Sequence, residues 1–234
     1  MRLLVFGNSQ VVALTHSWPT LRAAYPGTEV SFLPLAYFRA DCLVDTEGRL
    51  TSHSAQVARI TERRIGTPDV DPADYDAIAL VGLNYKLEFP IAAQGIGQPL
   101  YGHLVFAHFR QSLACYMLRR FRRITDVPIT LTPTPFTARE PMPSNVPLNP
   151  ALCYARIERM LAVDRAIFVR QPAETLATEI FTKPEYATDA PCEPYRDGRP
   201  FTFHPPDDLS HMNASYGALV MRDILVALGC RPVG

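Results

Sequence analysis

The chain has 234 residues, 47% of them hydrophobic, which is enough to bury a sizeable core and fits one domain (1–234) with long loops better than two. Its 23 basic and 23 acidic side chains leave a formal net charge of +0, so the electrostatic footprint of a dedicated nucleic-acid binder is missing, and no apolar run approaches the ~20 residues of a membrane span. Five cysteines (Cys42, Cys115, Cys153, Cys192 and Cys230), scattered and never in C-x-x-C spacing, suggest neither a zinc knuckle nor a disulfide framework. With no charged-then-apolar leader ahead of the first strand, a reducing cytoplasm is expected.

Arg2 to Phe6 is a short run of branched and aromatic residues, the pattern of a strand buried on both faces. It stops at Gly7-Asn8-Ser9-Gln10, where the glycine permits a tight turn and Asn8 or Ser9 can cap the amphipathic helix predicted over about 10–24. Pro26-Gly27 marks a turn and Glu29 to Leu35 a second strand. A polar stretch with Gly48 follows, then a helix over 52–65 that ends at Gly66 with Pro68 beyond it. Ala77 to Val81 is a third strand, again continuously apolar, ending at Gly82-Leu83-Asn84.

Residues 103–123 carry the longest helical pattern, closed by Arg119-Arg120-Phe121-Arg122-Arg123, which reads as a solvated helix end rather than a polyanion site. Val127 to Leu131 is a fourth strand. The connection over 132–150 then holds Pro133, Pro135, Pro141, Pro143, Pro147 and Pro150, and is far longer than the ~4–6 residues usual for a loop. A helix over about 150–162, a fifth apolar segment at 166–169, an irregular stretch over 178–206 and a closing helix at 214–228 complete the chain. Strands alternating with helices argue for an α/β protein whose mostly parallel sheet of about five strands is covered on both faces.

Three short segments carry the chemistry. Ser9 falls between the carboxyl end of a strand and the amino end of a helix, where open α/β sheets bind ligands. In Asp208-Leu209-Ser210-His211 the three-residue spacing lets Asp208 hold one ring nitrogen of His211 while the other points outward. A serine hydroxyl needs such a base and orienter to become a nucleophile. The Ser9 N–H and the Asn84 amide, at the end of another strand, are suited to receive an oxyanion.

Gly7-Asn8-Ser9, Gly82-Leu83-Asn84 and Asp208-x-x-His211, in this order along the chain, together resemble the SGNH (GDSL-like) hydrolase superfamily. The resemblance spans nearly the whole chain and implies a three-layer, flavodoxin-like α/β/α sandwich. It also implies esterase or O-acyltransferase activity, with Ser9 as nucleophile, Asp208 and His211 completing a triad, and Asn84 in the oxyanion hole. Asn8 and Gln10 depart from the Asp and Leu of the GDSL variant, Tyr85 stands where the third block usually has Asp, and Met212 follows the histidine where many members have Pro. The family's second-block glycine, the other oxyanion donor, is matched by Gly48 by order only. There is no G-x-S-x-G elbow, dinucleotide fingerprint or P-loop, and no cofactor or metal is expected.

Each residue also has a plainer reading: Asn8, Ser9 and Asn213 as helix caps, Gly82 as a close-packing glycine, and His103, His108 and His204 as structural or loop residues, with no ligand cluster to give His204 a metal. Two functions stay open. One is an enzyme that cleaves or transfers a small acyl group, such as acetyl, from a small-molecule or carbohydrate ester; the other is a non-catalytic binding protein that kept the fold. For the enzyme, Phe136, Arg139 and Met142 on the proline-rich connection are the expected shapers of specificity, followed by Tyr85 and Lys86.

Overall fold

A strand as apolar as Leu3–Phe6 is stable only between two covering layers, because its side chains alternate between faces. The computed structural model describes residues 1–35, 40, 42–87, 98–139, 150–192 and 202–233. In chain order these form β1 (Arg2–Gly7), α1 (Val11–Leu21), β2 (Glu29–Pro34), β3 (Leu43–Thr46), β4 (Arg49–Ser52), α2 (Ala55–Ile65) and β5 (Ala77–Gly82). There follow α3 (Gln98–Gln111), α4 (Leu113–Ile124), β6 (Ile129–Pro133), α5 (Pro150–Val163) and β7 (Ala166–Phe168). Two short ribbons, β8 (Leu176–Thr178) with β9 (Phe181–Thr182) and β10 (Pro191–Cys192) with β11 (Thr202–Phe203), precede α6 (Ala214–Ala227).

Five strands pair in the order β2-β1-β5-β6-β7, every pair parallel. Counting only these strands, the order is that of a flavodoxin-like sheet, whose direction of winding reverses between β1 and β5. Leu4, Phe6, Ile78, Leu80, Ile129 and Leu131 face a core built with α2, α4 and α5. Leu3, Val5, Ala77, Ala79 and Val81 face the other, built with α1 and α6. The result is the expected three-layer α/β/α sandwich.

Local chemistry moves several boundaries. The single helix expected over 103–123 is two, because Ser112 takes an extended conformation (φ −76°, ψ 152°) and its hydroxyl accepts from the Cys115 N–H, starting a second helix. The polar stretch before α2 is the hairpin β3–β4, turned by Glu47 and Gly48 with φ of 52° and 81°, the left-handed pair a two-residue hairpin turn demands. The helix after it starts at Ala55, capped by Ser54. Arg122, expected in a solvated helix end, instead bonds the carbonyls of Asp164, Val127 and Arg165 at 2.7 Å each, tying α4 to the start of β7. Among the described residues no helix is long and apolar enough to cross a membrane.

The two helices on the second face approach very closely. A Cβ on Gly217 would sit 2.2 Å from the Ala13 carbonyl oxygen, so only glycine lets α6 lie this near α1. Alanine would improve helix propensity by about 1 kcal/mol, but the clash is with backbone and can be relieved only by moving a helix. Gly217→Ala is therefore expected to lower stability by about 1–3 kcal/mol, read from urea unfolding of the purified protein.

Candidate active site

Past Gly7 the chain leaves the sheet and turns into α1. The Asn8 side chain accepts from the Gln10 N–H at 3.1 Å, and the Asn8 and Ser9 carbonyls accept from Val11 and Val12. Asn8 thus supplies the side-chain bond at this helix start, and Ser9 does not act as the cap. Its hydroxyl donates instead to His211 Nε2 at 2.9 Å, across 202 positions of sequence. Among the described residues nothing accepts from the Ser9 N–H, which leaves that donor available at the amino end of α1.

His211 is held by its neighbours on both sides. Leu209 accepts through its carbonyl from the Ala138 N–H at 2.7 Å, and the Ser210 carbonyl accepts from Gln10 Nε2 at 3.0 Å. Met212 is buried against α1 and α6, and the Asn213 N–H donates to Tyr186 at 2.7 Å. Asn213 then caps α6, its Oδ1 accepting from the Tyr216 N–H at 3.1 Å while its Nδ2 holds the carbonyls of Glu185 and Thr188.

His211 Nδ1 lies 2.7 Å from Asp208 Oδ2. Burial alone would raise the Asp208 carboxyl, but hydrogen bonds from the Ser210 hydroxyl and N–H and from His211 outweigh it and hold the group well below the usual carboxylate range. An ionised carboxylate only accepts, so the His211 proton resides on Nδ1 and Nε2 is left to accept from Ser9. Asp207 is exposed and plays no part in this chain of contacts.

Sequence reasoning missed a second imidazole. His204 Nδ1 lies 3.0 Å from the same Asp208 oxygen, and its ring stacks on His211 with centroids 3.8 Å apart and planes at 8°. Its place in His204-x-x-x-Asp208-x-x-His211 was the available signal, since residues four apart share a face. One ligand atom each from His204, Asp208 and His211 lies within 4.8 Å of the others, so the expectation that His204 has no ligand cluster is corrected. Two histidines and a carboxylate suit a divalent transition metal, but Asp208 Oδ2 is engaged by the His211 Nδ1–H in a hydrogen bond that ligation would undo.

The end of β5 reaches the same sheet edge, because Gly7 pairs with Val81. Gly82, Leu83 and Asn84 then follow with φ of 72°, 50° and 54°, three left-handed residues in a row closed by the Tyr85 N–H on the Gly82 carbonyl at 3.0 Å. A Cβ on Gly82 would lie 2.4 Å from Asn8 Oδ1, so the glycine serves both the backbone angle and the close approach of the Asn8 turn. The left-handed form costs roughly 1–2 kcal/mol for an ordinary residue such as Leu83 and less for Asn. Strain of this kind gathers at functional sites.

A cavity of about 220 Å³ opens beside Ser9 and His211, lined also by Val12, Pro34, Ile60, Arg63, Arg64, Pro191, Cys192 and His204. Several expected specificity residues lie elsewhere. Tyr85 is fully buried in the core, where its ring meets Phe109, because it follows the left-handed turn inward. Phe136 is buried too, its N–H donating to Gln171 Oε1 at 2.9 Å. Lys86 and Arg139 are exposed and do not line the cavity, Asn84 is likewise exposed and outside its lining, at the β5 end of the same sheet edge, and Met142 lies outside the described residues. Gly48 is accounted for by its hairpin turn, has open space around it and does not line the cavity. The described part of the proline-rich connection, through Arg139, supports the His211 segment from behind rather than walling the cavity.

No family model matches the chain, and no curated protein matches it. Among solved structures, a GDSL-like lipase from Bacteroides thetaiotaomicron VPI-5482 is 12% identical with a TM-score of 0.41, over 97% of this chain and 86% of the lipase. A protein provisionally described as an acylhydrolase, from Bacteroides fragilis NCTC 9343, is 13% identical with a TM-score of 0.42, over 97% and 85% of the two chains. A gut microbial diltiazem-metabolizing enzyme is 12% identical with a TM-score of 0.40, over 79% of this chain and 43% of that one. Likeness at this level carries no function with it; the chemistry has to come from the side chains.

The depressed Asp208 carboxyl is also a statement about stability. A carboxyl that is lower in the folded than in the unfolded chain stabilises the fold above its unfolded value of about 4, and that contribution is lost as pH falls through the folded value. The gap in urea midpoint between the wild type and Asp208→Asn should therefore narrow steadily below about pH 4. A gap that stays constant, or widens in acid, would mean that Asp208 is not held ionised.

Proposed function

We propose that the protein is a serine-dependent ester hydrolase or O-acyltransferase acting on small acyl esters through an acyl-Ser9 intermediate. The observation that carries this reading is the chain from Ser9 Oγ to His211 Nε2 at 2.9 Å and from His211 Nδ1 to Asp208 Oδ2 at 2.7 Å. It agrees with the SGNH-like order of motifs in the sequence. A protein that only bound a ligand would have no use for an ionised carboxylate held behind a histidine that accepts from a serine.

In the first half-reaction the Ser9 oxygen attacks the ester carbonyl as its proton passes to His211 Nε2. The imidazolium is stabilised by Asp208, which keeps its charge and takes no proton. The developing oxyanion receives the Ser9 N–H and the Asn84 amide, one from each strand end at the winding reversal. The tetrahedral species then expels the alcohol, which takes its proton from His211, and the acyl group stays on Ser9. In the second half-reaction water or an acceptor hydroxyl loses a proton to His211 and attacks the acyl carbonyl, and the tetrahedral species expels Ser9, whose oxygen takes that proton back from His211. The cavity is smaller than the ~300 Å³ at which sites for drug-sized ligands begin, and Val12, Pro34, Ile60 and Pro191 make much of its wall apolar. Both features favour a short acyl group.

Labelling with a fluorophosphonate, located by mass spectrometry, should modify Ser9 in the wild type. Ser9→Ala should lose both the label and the turnover of p-nitrophenyl acetate while its circular dichroism is unchanged. Full turnover by a folded Ser9→Ala protein would remove Ser9 as nucleophile.

Loss of one oxyanion donor costs about 10²–10³ in kcat, so Asn84→Ala should fall by that factor with Ser9 still labelled. An unchanged kcat would take Asn84 out of the site.

A further inference from the structure

His204 has no task in the reaction as written above, yet it is fixed in place beside His211. Its backbone N–H donates to the Ala190 carbonyl at 2.9 Å, beside the β10–β11 ribbon. Its ring lies flat against His211, and its Nδ1 meets the Asp208 oxygen at 3.0 Å. A lone pair on Nδ1 at that distance would face the ionised Asp208 oxygen and be repelled by it, so the His204 proton resides on Nδ1. Burial and the neighbouring His211 push the His204 imidazole below its ordinary value against the pull of Asp208, which keeps it neutral. Its Nε2 therefore carries a bare lone pair on the side of the ring away from Asp208. The side chain is 16% exposed, lines the cavity, and among the described residues has no hydrogen-bond partner for Nε2.

We infer that His204 Nε2 is a substrate contact, accepting a hydrogen bond from a hydroxyl on the carbon next to the ester-bearing carbon, so that the preferred substrates are partly acylated polyols or sugars. The inference rests on the acyl-Ser9 reading. His211 delivers its proton to the leaving alcohol oxygen, so that oxygen must lie against His211 Nε2. His204 is stacked directly on His211, which places its acceptor beside the same oxygen, on the alcohol side of the ester. A vicinal hydroxyl falls within that span and brings the donor that a bare imidazole nitrogen lacks. The same contact would select an acceptor with neighbouring hydroxyls if the acyl group is transferred rather than hydrolysed.

The test uses 2-hydroxyethyl acetate and propyl acetate, which differ by a hydroxyl in place of a methyl at the critical position. The quantity read is the ratio of their kcat/KM values, which cancels any loss common to both. The wild type should favour the hydroxylated ester by about tenfold or more, the range expected when a partly buried acceptor is otherwise left unpaired. In His204→Phe, which retains a ring that can stack but has no acceptor, the ratio should fall at least tenfold. His204→Gln, whose amide oxygen can accept, should keep part of the preference and provides the reading if the Phe variant does not fold. A purely structural His204 would slow both esters alike, and a ratio that is the same in the wild type and the folded variants overturns the inference. Fluorophosphonate labelling separates the two levels. Labelled Ser9 with an unchanged ratio defeats only the role of His204, whereas an unlabelled wild type with no turnover of either ester defeats the acyl-Ser9 reading and this one with it.

Discussion

The site depends on how closely α1 and α6 can lie on one face of the sheet. Ser9 stands just before α1, and His211 just before α6, so the spacing of the two helices sets the spacing of the two side chains. Gly217 against the Ala13 carbonyl is the point of closest approach. The sheet beneath is cut to match, because β5 places only Ala77, Ala79 and Val81 on this face while Ile78 and Leu80 go to the other. Small residues on three surfaces at once allow a hydrogen bond between groups about two hundred positions apart. No local preference of either segment would produce it.

The His211 segment is supported from the opposite side by a network of backbone and side-chain hydrogen bonds. Pro133 and Pro135 have no N–H, and the donors that remain on alternate residues are all used: Thr134 on the Tyr85 carbonyl, Phe136 on Gln171 and Ala138 on Leu209. Gln171 Nε2 in turn donates to Thr175 and Thr182, and the Thr182 hydroxyl donates to the Phe136 carbonyl. These groups are buried, where an unmatched polar atom would cost about 1–3 kcal/mol. The named donors each have a partner, whereas among the described residues the Thr132 and Thr134 hydroxyls beside them are buried without one; the matched bonds fix one position for the extended chain, and that chain holds Leu209 in place.

What could be read from the sequence follows from the range of the interactions involved. The strands of the sheet are near-continuous apolar runs, and the Asp208-x-x-His211 pairing lies within one turn, so both are encoded locally. Ser9 is identifiable because a strand-to-helix junction is itself a local signal. The break at Ser112 is harder to see, since the apolar pattern of α3 runs on into α4 and only the hydroxyl of one serine interrupts it. Arg63 and Arg64 carry no local signal, because they reach the site only through the tertiary approach of α2. Tyr85 and Phe136 were misplaced for a related reason. An aromatic residue near a strand end suits a pocket wall and a core equally well, and here the left-handed turn sends Tyr85 inward while the Gln171 bond to its N–H keeps Phe136 buried.

The left-handed run at Gly82-Leu83-Asn84 sets a direction for change in this protein. Leu83 pays a conformational penalty that a glycine would avoid, and it is kept in that shape by full burial beside Tyr85. Replacing Leu83 by glycine would relieve that penalty of roughly 1–2 kcal/mol but forfeit about 2–5 kcal/mol of core packing, so burial keeps the corner strained. Relaxation would free the position of Asn84, the one proposed donor that comes from outside the first strand-helix junction. Packing thus holds the turn that positions Asn84, and stabilised variants are best sought at the sheet's far edge around β7, leaving this turn untouched.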